Sequence, residues 1–488
     1  MTLKAFTTAA LIGLIVGSSS PMAIASPDDA AGTTVSAGTP GTTAPTVSPG
    51  ATGPTGSKAS LPASSEPLKV TLNNCKKAAE YSAKASGMSM LVIENGKVIF
   101  EDYPNGHKAS EPHELASGTK SFTGLCALAA SEDGILTLDE KVSDTITEWK
   151  GDSKRENITI RELLSLISGI TSATGMAPPY AQALQAEITA KPGEKFQYGP
   201  APFQVFGELM VRKLKANKEN KQAEATMVDY LKRRVLDPAD IHVGLWRKGR
   251  DGMPLMPQGA AFTAREWAKV GELVLNGGMA GGKQIIQSEN IKTLFIGSPA
   301  NPMYGLSWWL NRPMDDQLRN SIRTLTMASD LRYGAAGVPN DLVMAAGAGK
   351  QRLYVVPSMN LVVVRQANVK SELMPGAGNT RFSDVTFWQL LTLGHADPAA
   401  ASDKMRALSG QRRGGIPRMR GAGQAGAGQS GSGHTGAGQA GTGNTGIGRS
   451  GRFMRMLDRN HDGVVDQQEK QVFRNLLQRR QSTSNQQQ

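Results

Sequence analysis

The 488-residue chain lacks most of the patterns that announce a particular chemistry. No Gly-x-Ser-x-Gly elbow occurs, and no His-Glu-x-x-His zinc pair, so two common site architectures are excluded. Cysteine is scarce: Cys75 and Cys126 are the only two, allowing one disulfide at most. Cys126 sits at helical spacing among apolar residues, so a buried thiol fits as well as a bond, and both readings stay open. Past the first few dozen positions no apolar run reaches the eighteen residues of an internal membrane span. Large apolar side chains are missing from two long stretches although hydrophobic residues make up 39% of the chain and glycine contributes 55, so the chain is not a uniform globule.

What is present sorts into segments. Residues 1–25 combine Lys4, an apolar stretch from Ala5 to about Val16, and Ala23-Ile24-Ala25, the small residues of a signal-peptidase site. This predicts export to the periplasm or medium, a mature chain starting at Ser26, and no transmembrane anchor in that mature chain. Residues 26–68, rich in Thr, Pro, Ser and Gly, cannot offset the entropy of ordering and read as a spacer. Within 401–450, Gly421 to Ser450 holds six copies of a five-residue unit with Gly first and third, a tether. The formal net charge of +12 is unevenly spread: residues 401–488 carry fourteen basic and five acidic side chains, a net of +9, while 69–400 carry only +4. In an exported chain the partner that such a tail implies is an anionic envelope surface, with no nucleic acid expected; a merely solvated tail is the plain alternative.

Residues 69–400 hold the material for a core. Two apolar runs flank Asn95-Gly96, a type I′ hairpin signal, and Leu353-Tyr-Val-Val and Leu361-Val-Val-Val flank Pro357-Ser-Met-Asn360, a second hairpin. Helical spacing appears at Phe122, Leu125, Cys126 and Ala129 and at Phe387, Leu390 and Leu391. An antiparallel sheet built from both ends of the segment and covered by helices, an α+β fold, is the expected assembly. Just before the first helix stands Ser117-Gly118-Thr119-Lys120. Residues three apart share a helix face, so the serine hydroxyl and the lysine amine can meet; a lysine with a depressed pKa is the base that a weak serine nucleophile needs. His113 lies four residues earlier, but a surface or structural histidine is the commoner outcome, and the scattered His107, His242, His395, His434 and His461 give a Ser-His-Asp mechanism no support.

The Ser117-x-x-Lys120-Ser-Phe start is followed in order by Ile158-Thr-Ile-Arg-Glu-Leu-Leu-Ser-Leu-Ile-Ser-Gly-Ile170, Pro192-Gly-Glu-Lys-Phe-Gln-Tyr198, Tyr304-Gly-Leu-Ser-Trp-Trp309 and Gly347-Ala-Gly-Lys-Gln-Arg-Leu-Tyr-Val-Val-Pro357. In this ordered set the chain resembles the serine β-lactamase, penicillin-binding protein and esterase superfamily, in the class C-like branch with the 6-aminohexanoate-dimer hydrolases. The resemblance implies a β-lactamase/transpeptidase-like antiparallel sheet flanked by helices, with an all-α subdomain. It implies Tyr198 as the proton shuttle beside the nucleophile and an oxyanion hole from the backbone amides of Ser117 and Ala348, with Gly347 in the third motif. Two departures stand out. Tyr198-Gly199-Pro200 has no Asn two residues after the tyrosine, and Ala345-Ala346-Gly347 lacks the usual cation, with Lys350 and Arg352 as candidates for a displaced one. Trp308 and Trp309, adjacent on an expected strand, should point to opposite faces, one to the core and one toward the cleft.

Residues 451–488 contain a second signature. Asp458, Asn460, Asp462, Val464, Asp466 and Glu469 occupy loop positions 1, 3, 5, 7, 9 and 12 of an EF-hand, with Gly463 at the turn. Carboxylate, amide and carbonyl oxygens in that order predict bound Ca2+, structural or regulatory, with no cofactor for catalysis. EF-hands work in pairs, and one copy leaves pairing with a second chain, docking or a weak structural clip as its modes. The sequence therefore predicts an exported serine hydrolase acting on a small ester, amide or peptide-like substrate. The rival is a non-catalytic penicillin-binding-like module holding an envelope peptide or polymer; intact Ser117, Lys120 and Tyr198 favour the enzyme, Pro200 and Ala345 the rival.

Overall fold

A computed structural model describes residues 68–171, 175, 177–217, 224–322, 329–368 and 382–397. The export segment, the spacer, the basic tail, the repeats and the calcium loop all lie outside the described residues. Thr71 caps the first helix, α1 (Leu72–Lys84), its hydroxyl accepting from the Asn74 amide at 3.2 Å. Strands β1 (Gly87–Glu94) and β2 (Lys97–Asp102) follow as the expected hairpin. Asn95 and Gly96 both take positive φ, +52° and +71°, which the I′ turn demands and only such residues adopt cheaply. After β3 (His113–Glu114) and a 3-10 turn over Ala116–Lys120 comes α2 (Ser121–Glu132).

Next along the chain are α3 (Ile160–Leu164), α4 (Tyr180–Ala183), α5 (Ala201–Ala216) and α6 (Met227–Leu231). Their boundaries follow local chemistry: Thr159 and Glu162 form a complete capping box on α3, as Thr226 and Asp229 do on α6. Strands β4 (Leu245–Trp246) and β5 (Ala260–Phe262) join β3 in a small sheet ordered β3-β5-β4. Helix α7 (Ala264–Leu275), the ribbon β6 (Met279–Ala280) and β7 (Lys283–Gln284), α8 (Ser288–Thr293), β8 (Trp309–Leu310) and α9 (Asp316–Ser321) lead to the second long hairpin. It comprises β10 (Gln351–Val356) and β11 (Leu361–Ala367), preceded by β9 (Val343–Gly347) and followed by α10 (Asp384–Leu393).

The main sheet runs β2-β1-β11-β10-β9-β8 with every neighbouring pair antiparallel, so the two ends of the segment meet at β1 and β11. Alternation along β10 assigns the faces. Leu353 and Val355 lie against Gly271 of α7, whereas Tyr354 stacks on Phe387 and meets Trp388 of α10 edge-on. Helices therefore cover both faces, and β9, β10 and β11 are buried along their whole length, which is why the second hairpin reads as nearly continuous apolar runs. Helix α2 differs from the expectation of a single apolar face: Ser121 to Ala130 are all buried. Its polar members are satisfied internally, Ser121 Oγ donating to the Ser307 carbonyl at 3.0 Å and Thr123 Oγ1 to the Lys120 carbonyl at 2.5 Å.

Candidate active site

The site starts from strand pairing. His113 and Glu114 of β3 align with Phe262 and Ala261 of β5, and Leu115 N donates to the Ala260 carbonyl at 3.0 Å. The next residue, Ala116, turns into the left-handed region at φ +47°, a conformation that costs a residue with a Cβ about 1–2 kcal/mol. From there Ala116–Lys120 wind as a 3-10 helix rather than the α-helix the sequence spacing implied. With three residues per turn, positions i and i+3 eclipse, so Ser117 and Lys120 stack directly. Lys120 Nζ lies 2.9 Å from Ser117 Oγ. Thr119 pins the turn: its hydroxyl donates to the Ala116 carbonyl at 2.7 Å and accepts from Ala260 N at 3.1 Å.

Lys120 is 4% exposed. Its amine donates a second hydrogen bond to the Pro257 carbonyl at 3.2 Å and lies 4.9 Å from the Tyr198 ring centre and 5.4 Å from that of Phe203. Among the described residues no carboxylate forms an ion pair with it. Burial accordingly lowers its pKa to about 7. Tyr198 completes the group, its ring beside Lys120 and its phenol facing Ser117. Burial pushes its phenol up to about 12 against the opposing pulls of Ser117 and of the Arg352 charge. At neutral pH the trio thus holds an amine able to take a proton and a phenol able to give one. An aromatic box fixes the phenol: Tyr198 packs on Trp309 at 5.6 Å and on Tyr304 and Phe196 at 6.5 Å, with Tyr304 meeting Trp309 edge-on at 4.8 Å.

The end of β9 closes the other side. A Cβ on Gly347 would stand 2.0 Å from the Leu115 carbonyl oxygen and 3.1 Å from Gly118 N, so only glycine lets the strand press against the nucleophile turn. Ala348 follows at the surface. Neither candidate for the missing third-motif cation replaces it. Lys350 Nζ lies 3.9 Å from Asp384, and Arg352 holds the same carboxylate through Nε at 2.6 Å and Nη2 at 3.1 Å. Tyr354 donates to it at 2.5 Å. Burial alone would raise the Asp384 pKa, but the Arg352 and Lys350 charges and these hydrogen bonds hold it well below the usual carboxylate range.

Other expectations resolve here. Cys75 and Cys126 are separate buried thiols, which removes the disulfide alternative; burial raises both pKa values, that of Cys75 to about 11, and leaves them unreactive. His113 places Nε2 2.8 Å from the Ala367 carbonyl and stacks edge-on against His107, a structural pair. Trp308 and Trp309 are both buried, so the second tryptophan reaches the site by packing on Tyr198 and does not line an open cleft. Asp458, Asn460, Asp462, Val464, Asp466 and Glu469 lie outside the described residues. Sequence reasoning missed Pro257, Thr119 and Asp384. A backbone carbonyl carries no residue-type signal, and a lone Asp at a helix start reads as an ordinary first-turn acid.

Comparison with known proteins places the chain in a family. Residues 74–385 match the Beta-lactamase family. Protein flp of Staphylococcus aureus (strain COL) is 33% identical over 145 residues, 25% of this chain and 29% of that protein, so the chain spans less than a third of the length of this relative. An uncharacterized protein of Alkalihalophilus pseudofirmus is 25% identical over 327 residues, 60% of this chain and 87% of its own. Among solved structures, a putative 6-aminohexanoate-dimer hydrolase from Bacillus anthracis is 18% identical with a TM-score of 0.47, covering 68% of this chain and 81% of that one. A putative beta-lactamase from Bacteroides dorei is 16% identical with a TM-score of 0.49, covering 70% and 99%.

Proposed function

Because the chain belongs to the Beta-lactamase family, we propose that it is an exported serine hydrolase that cleaves an ester or amide through an acyl-enzyme on Ser117. The observation that carries this reading is the 2.9 Å approach of Ser117 Oγ to a buried lysine amine whose pKa is lowered to about 7. In the proposed reaction the Ser117 proton passes to Lys120 as Oγ bonds to the substrate carbonyl carbon. Backbone amides of Ser117 and Ala348 would hold the oxyanion. Tyr198, protonated because its pKa is about 12, gives its proton to the leaving alcohol or amine as the old bond breaks and regains one from Lys120. Water then attacks the acyl-enzyme by the same proton path in reverse.

The substrate class follows from what the site lacks. Ala345 and Ala346 offer no cation, Lys350 and Arg352 bind Asp384, and Pro200 has no side-chain amide. A neutral ester or short amide suits such a cleft better than a lactam bearing a carboxylate. The site does not favour the rival binding module, since a buried, uncompensated lysine serves catalysis and costs stability in a protein that only binds. The test is intact-mass spectrometry after exposure to a fluorophosphonate. A single adduct on wild type, absent in Ser117→Ala, is expected, and its formation rate should rise with pH around 7 as Lys120 deprotonates. Equal masses before and after exposure, with no ester turnover, overturn the proposal.

The parts outside the described residues enter as proposals from sequence. Residues 451–488 bind Ca2+ through the EF-hand oxygens, the basic tail holds the enzyme near an anionic envelope surface, and residues 1–25 direct export. The helices between α2 and β4 would form the all-α subdomain that borders the cleft.

A further inference from the structure

Lys120 Nζ aims its lone pair at the serine when an acceptor holds one of its N–H groups, and here that acceptor is the Pro257 carbonyl at 3.2 Å. Pro257 sits in a loop between β4 and β5; its ring fixes φ, and Gly259 N donating to the Leu255 carbonyl at 2.9 Å closes the turn around it, so the direction of its carbonyl follows the position at which Met256 is held. Met256 N donates to Gln204 Oε1 at 3.0 Å, inside the core. Gln204 Nε2 donates in turn to the Pro178 carbonyl at 2.8 Å. One partner is an N–H and the other a carbonyl, so the amide has one permitted orientation. Gln204 is wholly buried on α5, next to Phe203, whose ring faces the same lysine amine. A buried amide with both ends bonded to backbone is a rigid clamp, and nothing in the proton path needs it directly.

We propose that Gln204 is a positioning residue: through Met256 N it holds the Pro257 carbonyl that orients Lys120. This rests on the reading of Ser117 and Lys120 as nucleophile and base. Without the clamp the loop relaxes, water enters beside Lys120, and the burial that depresses its pKa is partly relieved. The base is then protonated over a wider range of pH and is less well aimed.

The experiment compares wild type with Gln204→Met, similar in length and without hydrogen bonds, in ester turnover and fluorophosphonate labelling from pH 5 to 10. Wild type should show its acid limb near 7. The variant should show that limb moved up by about one pH unit, with roughly a tenfold loss of kcat/KM at pH 7 that shrinks at pH 9. Gln204→Glu, whose carboxyl when protonated reproduces both hydrogen bonds, should return the limb toward wild type. Should Gln204→Met fail to accumulate, Gln204→Asn carries the same prediction, since its amide stops one methylene short of Met256. A variant with lowered Tm but an acid limb coincident with wild type overturns the inference and leaves the proposed function standing. Absence of labelling in wild type itself overturns both.

Discussion

Lys120 sets the energetics of the site at the scale of the single residue. Its pKa of about 7 in the fold, against an ordinary lysine value near 10.4 unfolded, means that the unfolded chain binds the extra proton between those values. Stability from this group therefore rises as pH climbs through that window. Below about 7 the full cost of a buried ammonium is present. Lys120→Met should remove that cost, raising Tm at pH 6 by the equivalent of a few kcal/mol and by clearly less at pH 9, while abolishing ester turnover. Thermal denaturation at the two pH values checks this, and a variant less stable than wild type at pH 6 contradicts it. A serine and a lysine three apart could be seen in the sequence. The missing counter-ion could not, because it depends on which side chains the distant loop at Pro257 and helix α5 at Phe203 bring in.

Between elements, Asp384 does comparable work. Placed at the first turn of α10, it accepts from Arg352 and Tyr354 of β10 and lies near Lys350, locking that helix to the strand beside β9. Replacing it removes the carboxylate that buried Arg352 and Lys350 share, so Asp384→Asn should cost about 3–5 kcal/mol, measured by denaturant unfolding at pH 7. The folded pKa lies below the unfolded one, so this contribution is complete above the ordinary aspartate range and fades as pH falls through the folded value. Wild type and variant should thus converge in stability under strong acid; a constant gap down to low pH would contradict the assignment. Both hairpins of the sheet were legible, since Asn-Gly and short apolar runs on either side of a turn act over a few residues. The 3-10 form of the nucleophile turn was not, because it is imposed by β3 pairing with β5 and by Thr119 bonding to Ala260. The Arg352 ion pair was hidden for the same reason: its partner lies thirty-two residues away across a strand–helix contact.

For the whole molecule, charge and glycine separate the parts. The hydrolase segment carries +4 and the tail +9, so a surface that attracts the protein should do so through residues 401–488. Calcium titration of the full chain, followed by isothermal calorimetry, should show one site at extracellular-type affinity of about 10⁻⁴–10⁻³ M, weakened at least tenfold in Glu469→Gln. Identical titrations of the two proteins would remove calcium from the account. What the sequence determined by itself is whatever depends on near neighbours: the turn chemistry of both hairpins, the order of the motifs and the Ser117–Lys120 spacing. The tertiary structure alone decided that Arg352 and Lys350 spend their charge on Asp384, that Cys75 and Cys126 stay apart, and that a proline carbonyl held by Gln204 orients the lysine. Those outcomes turn on burial and on contacts between residues far apart in the chain, and a pKa near 7 exists only once the fold has taken the water away.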